Sequence, residues 1–207
     1  MKKTLALIFA ALMIVSCFTA CGGTESGDDT SYASTTLSNG INGIKVPEEN
    51  LDGVEYGSFS KFTAVDLAGK KVTEDIFKGK KLTMINIWAT FCSPCIREMP
   101  DLEKLSQDYA DKDFQIIGMV CDVNYEADGY DEDLYASALD IVEMTGVTYT
   151  NLLPSDSLDK IKLSEVYSVP ETIFVDENGE IVGQSYIGSR GLEDWKTVVD
   201  SVLASME

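Results

Sequence analysis

The stretch from Lys81 to Pro100, KLTMINIWATFCSPCIREMP, constrains the fold more than any other. Its apolar run of Leu82, Met84, Ile85, Ile87 and Trp88 predicts a buried strand, opened by the Gly79-Lys80-Lys81 break. After the short turn Ala89-Thr90-Phe91 come Cys92-Ser93-Pro94-Cys95. Ile96, Met99, Leu102, Leu105 and Tyr109 then recur on one side of a helix. Pro94 suits the first turn of that helix, where a missing N–H costs little. Free amides and the dipole at a helix N-terminus favour an anion, so the Cys92 thiol is expected to ionise more readily than a free one. Two intervening residues put the second thiol within bonding reach. The pattern predicts a redox-active dithiol.

Other uses of a C-x-x-C pair fit less well. A zinc site takes about four ligands. This chain has no histidine and, beyond its first 21 residues, one further cysteine, Cys121. No metal and no cofactor is expected. Two inert core cysteines remain conceivable, but a strand-to-helix junction is the context that redox dithiols require.

The absence of histidine also removes Ser-His-Asp and Cys-His catalysis. A net charge of −19 repels nucleic acid and anionic lipid headgroups, so no nucleic-acid partner is expected. Three segments are anticipated. Residues 1–20 read as a signal peptide, with Lys2 and Lys3 before the apolar run Leu5–Val15, which is short for a membrane span. Residues 21–55 read as a flexible linker of Gly, Ser, Thr, Asp and Asn. Residues 56–207 read as one globular domain, long enough to bury roughly 70% of its unfolded surface.

Within that domain, the Asp66–Gly69 turn, flanked by Phe62, Val65 and Val72, predicts a hairpin ahead of the central strand. Phe114–Val120 predicts a second buried strand, closing a βαβ unit, and Cys121 at its end reads as a small buried side chain. The acidic loop that begins at Asp122 lacks the calcium-loop spacing and reads as solvated charge. Leu134, Ala138, Ile141 and Val142 mark an inserted helix, Val147–Leu153 a strand, and Leu158–Val166 a helix. A proline-led strand follows at Val169–Val175, then the turn signal Asn178-Gly179 and the strand Ile181–Ile187. Ser189 is the expected cap of a last helix carrying Trp195, Val199 and Val202. The predicted fold is α/β: a thioredoxin layout, a mixed sheet flanked by helices, with an N-terminal hairpin and a helical insertion after the βαβ unit.

Over residues 56–207 the chain resembles the TlpA/ResA-type membrane-anchored thioredoxin-like proteins. Asn86-Ile87-Trp88-Ala89-Thr90-Phe91-Cys92, Pro94-Cys95 and Arg97-Glu98-Met99-Pro100 carry the likeness, together with Tyr167–Phe174 and Asp176–Gly179. The resemblance implies that Cys92 attacks a substrate disulfide and that Cys95 resolves the mixed disulfide. It also implies that Pro170 is the family's cis-proline, holding the substrate strand with its neighbours Val169 and Glu171. Trp88, Phe91, Ser93 and Pro94 would complete the substrate surface. Pro170-Glu171-Thr172 is similar to the version found in cytochrome c maturation members. Spacing alone leaves Glu98 either an exposed helix residue or a group facing the dithiol. The resemblance implies the second, because Asn86 occupies the place of the buried aspartate of ordinary thioredoxins.

The leader resembles that of a bacterial lipoprotein, with Cys21 the expected lipidation site and Cys17 the alternative. The expected location is therefore the outer face of the cell membrane. The expected partners are disulfide-containing exported proteins, apocytochrome c among them, and a membrane thiol-transfer protein as electron donor. Two rival functions are a peroxiredoxin-like peroxidase, disfavoured because Ala89 stands where Thr-x-x-Cys would need threonine, and a redox-inert binding module.

Overall fold

The computed structural model describes residues 44–126 and 128–207. The expected signal peptide and both lipidation candidates, Cys17 and Cys21, lie outside the described residues. Two short strands, β1 (Thr63–Val65) and β2 (Lys71–Thr73), pair antiparallel. The turn between them is fastened by Asp66, whose carboxylate accepts the amides of Ala68 and Lys70. A 3-10 turn, Glu74–Phe77, leads to β3 (Leu82–Trp88), buried at every position.

Helix α1 (Ser93–Asp108) and strand β4 (Phe114–Val120) complete the βαβ unit. A small ribbon, β5 (Tyr125–Glu126) with β6 (Gly129–Tyr130), precedes α2 (Glu132–Thr145), the inserted helix. Asp131 caps α2 through the amide of Leu134, and Gly146 closes it in the left-handed region. Then come β7 (Asn151–Leu152), α3 (Asp156–Ile161), β8 (Glu171–Val175), β9 (Ile181–Ile187) and α4 (Leu192–Ser205).

The main sheet runs β7-β4-β3-β8-β9. Strand β4 is parallel to β3 and β7, while β8 is antiparallel to β3 and to β9. Side chains alternate between the sheet's faces. Ile85, Ile87, Ile117 and Met119 pack on one side against Phe59, Phe62, Phe77, Leu158 and Ile161. On the other, Met84, Ile116 and Phe174 meet Leu102 and Leu105 of α1 and Trp195 and Val199 of α4. A third cluster sits where β3 and β4 end, joining Trp88, Val120, Cys92, Cys95 and Met99 to Tyr135, Ala138 and Ile141 of α2. This is the expected thioredoxin fold, and its insertion packs beside the dithiol.

Local details depart from the sequence reading. Packing starts before Tyr56: Val54 is buried in the core and Glu49 accepts the amide of Ser157, so the end of the anticipated linker lies on the domain. The strand expected over 147–153 pairs with β4 only at Asn151–Leu152. Its other edge is taken by the first hairpin, with Leu67 donating to Asn151 and Leu153 to Val65. Asn178 and Gly179 lie in a longer turn closed by the Asp176 amide on the Glu180 carbonyl. Helix α4 begins from Gly191, with no side chain capping it, so Ser189 is not its cap.

Candidate active site

The strand–turn–helix junction is built as its residue types demand. Cys92 is the N-cap of α1, and its Sγ accepts the Cys95 amide at 3.2 Å. The turn before it is closed by the Cys92 amide on the Ala89 carbonyl. Cys92 and Cys95 form a disulfide with their Cα atoms 5.3 Å apart. Cys95 is wholly enclosed, and Cys92 keeps 4% of its surface in solvent. Phe91 and Ser93 are exposed on either side of Cys92, with Phe91 at 76%, and Pro94 is half-buried. The reachable sulfur is thus the one at the helix end. Trp88 is fully buried in the same cluster, its indole N–H donating to Asn151 Oδ1 at 3.0 Å.

One turn beyond Cys95, Glu98 is 3% exposed, so the exposed-helix alternative does not describe it. Asn86 Nδ2 donates to its Oε1, while the Arg190 amide and the Trp195 indole donate to its Oε2. Burial pushes the Glu98 carboxyl above its usual range, against the lowering pull of those three donors and of the Arg190 charge. Asn86 also donates to Thr172 Oγ1, which ties β3 to β8 behind the dithiol.

The Val169–Pro170 peptide is cis, as the resemblance implies for Pro170. The Gly188 amide donates to the Pro170 carbonyl, and Val169 packs against the cluster that holds both cysteines. Tyr167, in the same loop, is 92% exposed. Glu171 is placed differently from the expectation. Its carboxylate is buried, 2.7 Å from Lys162 Nζ, and accepts the Ser185 hydroxyl. Strand alternation puts Glu171 on the face opposite Thr172 and Glu98, so its side chain braces the sheet and is not available to a substrate.

Several contacts near the site gave no sequence signal. Asp122 accepts both the amide and the hydroxyl of Thr90. Asn151, Arg190 and Trp195 reach the site only through tertiary pairing. Cys121 is half-buried, and burial, with the adjacent Asp122 charge, pushes its thiol up to about 11. Among the described residues no group of three or more Cys, Asp or Glu side chains is placed to hold a metal ion.

Residues 52–199 match the Redoxin family. The thioredoxin-like protein YneN of Bacillus subtilis is 30% identical over 152 residues, covering 72% of this chain and 81% of that protein. The thiol-disulfide oxidoreductase ResA of Bacillus thuringiensis is 30% identical over 125 residues, covering 58% of this chain and 63% of that one. The chain therefore spans somewhat under two thirds of that ResA. Among solved structures, the thioredoxin domain of a Bacteroides vulgatus thiol-disulfide oxidoreductase is 26% identical. It superposes with a TM-score of 0.52, over 71% of this chain and 97% of that one.

Proposed function

Because the chain belongs to the Redoxin family, we propose that it is a thiol–disulfide oxidoreductase acting through Cys92 and Cys95. The observation that carries this reading is the disulfide at the head of α1, with the more exposed sulfur at the N-cap and a buried carboxylate one turn behind its partner. In the reduced protein the Cys92 thiolate attacks one sulfur of a substrate disulfide. A mixed disulfide forms, and the substrate's other sulfur leaves as a thiolate that takes a proton from solvent. Cys95 then loses its proton to Glu98 and attacks Cys92 Sγ, closing the intramolecular disulfide and releasing the second substrate thiol. Two electrons pass to the substrate, and a dithiol donor returns them. Cis-Pro170 and Val169 hold the extended substrate backbone, between the exposed rings of Phe91 and Tyr167.

The finer reading is an exported lipoprotein. Residues 1–20 are its leader and Cys21 its lipidated residue, and the protein sits on the outer face of the membrane with a membrane thiol-transfer protein as donor. No helix among the described residues is long and apolar enough to cross a membrane. The similarity of Pro170-Glu171-Thr172 to cytochrome c maturation members favours apocytochrome c among the substrates.

Cys95→Ala in the native host tests the reading by trapping substrates on Cys92. Recovered apocytochrome c supports the maturation role, and a broad set of exported proteins supports general disulfide reduction. An empty trap, together with peroxide consumption by the wild type, would replace the proposal with the peroxidase reading.

A further inference from the structure

The register between β3 and β4 aligns Trp88 with Val120, and the Cys121 amide donates to the Trp88 carbonyl as the last rung of that ladder. Two residues further on, Thr90 and Asp122 stand opposite one another just as β3 turns away to present Cys92. There the Asp122 side chain does what the next backbone carbonyl would have done. Its Oδ1 and Oδ2 lie 3.0 and 2.9 Å from the Thr90 amide, and Oδ2 also takes the Thr90 hydroxyl at 2.6 Å. Hydrogen bonds to an ionised acceptor are short and roughly twice as strong as neutral ones. Thr90 is two residues before Cys92, inside the turn closed by the Cys92 amide on the Ala89 carbonyl. The Asp122 carboxylate is therefore tied to the tight turn that ends at Cys92.

We propose that Asp122 is a positioning residue for Cys92: its carboxylate anchors the loop that aims the sulfur, and its charge restrains ionisation of the thiol. The inference rests on the reading of Cys92 as the nucleophile. The dipole and amides of α1 favour the Cys92 thiolate, and the negative charge of Asp122 opposes that effect. The other charged groups of the site have their own partners. Glu98 is held by Asn86, Trp195 and the Arg190 amide, the Arg190 guanidinium stacks near Tyr186 and Trp195, and Lys162 and Glu171 pair with each other. Asp122 is thus a tuning group that the acidic loop's composition hides.

The test is the pH dependence of Cys92 alkylation by iodoacetamide in the reduced protein, with Cys95 replaced by alanine so that one site thiol reacts. Asp122→Asn keeps an acceptor for Thr90 and removes the charge. Its profile should move to lower pH, with the rate about three- to tenfold faster below the midpoint. Asp122→Glu, which restores the charge, should return the profile toward that of the wild type. Superimposed profiles for wild type and Asp122→Asn would overturn the proposal, even if the variant melted at a lower temperature. Should the Asp122 variants fail to fold, Thr90→Val removes the hydroxyl donor and leaves the charge. It should lower the plateau rate of Cys92 attack on a peptide disulfide about threefold, and an unchanged plateau would overturn the anchoring role. A wild-type Cys92 that alkylates only at alkaline pH would instead overturn the oxidoreductase reading itself.

Discussion

Gly118, in the middle of β4, offers the sharpest test of how the sheet supports the site. Its register partners are Asn86 on β3 and Asn151 on β7, and the Asn151 side chain crosses directly over it to reach the Trp88 indole. A methyl group at residue 118 would lie 1.8 Å from Asn151 Oδ1, 2.7 Å from its Cγ and 3.2 Å from Trp88 Nε1. Asn151 and Trp88 are both buried, so neither can swing into solvent. Gly118→Ala therefore forces the Asn151 amide away and breaks its bond to the indole. Overpacking a core costs about 1–3 kcal/mol, and an orphaned buried donor about 1–3 kcal/mol more. The sum is roughly 2–6 kcal/mol, which lowers the melting temperature by about 4–24 °C in a chain of this size. Equilibrium denaturation of the oxidised protein measures it. The same substitution in an Asn151→Ala background has room for the methyl and should cost under about 1 kcal/mol, because the neighbours are coupled. Equal costs in the two backgrounds, or a loss below about 0.5 kcal/mol in the first, would refute the reasoning.

Two further outcomes follow from buried charge. Glu98 holds its proton more tightly when folded, so folding stability is fully present below the usual carboxylate range and falls as pH rises through the raised value. Glu98→Gln should flatten that decline in denaturation midpoints measured against pH, and should slow resolution of the mixed disulfide by about 100-fold or more. Lys162→Met strands the buried Glu171 carboxylate and should cost about 3–5 kcal/mol, whereas Lys162→Met with Glu171→Gln should recover most of it.

The sequence exposed what local pattern encodes. An unbroken apolar run made β3 and β4 recognisable, and the cysteine spacing with its following helical periodicity located the dithiol. Spacing left Glu98 open between an exposed helix residue and a group facing the dithiol, and only the family resemblance pointed to the second. Contacts that depend on register were not legible. Asp122 sits in an acidic run that reads as solvated, and only the alignment of Trp88 with Val120 brings it to Thr90. Asn151 looks like a polar residue at a strand end, and its bond to Trp88 exists because Gly118 leaves a gap. Glu171 shares its segment with Pro170, yet the two-residue alternation of β8 turns its side chain to Lys162. Ser189 has the chemistry of a cap, and chain direction after Gly188 gives that place to Gly191.

The most direct measurement is equilibration of the protein against dithiothreitol and glutathione buffers, followed by thiol labelling and intact mass. A reversible two-electron transition in which Cys92 and Cys95 are labelled together, and which Cys92→Ser abolishes, is the predicted result. A Cys92–Cys95 pair that stays unlabelled in every buffer, or labels without ever re-forming its disulfide, would contradict the account.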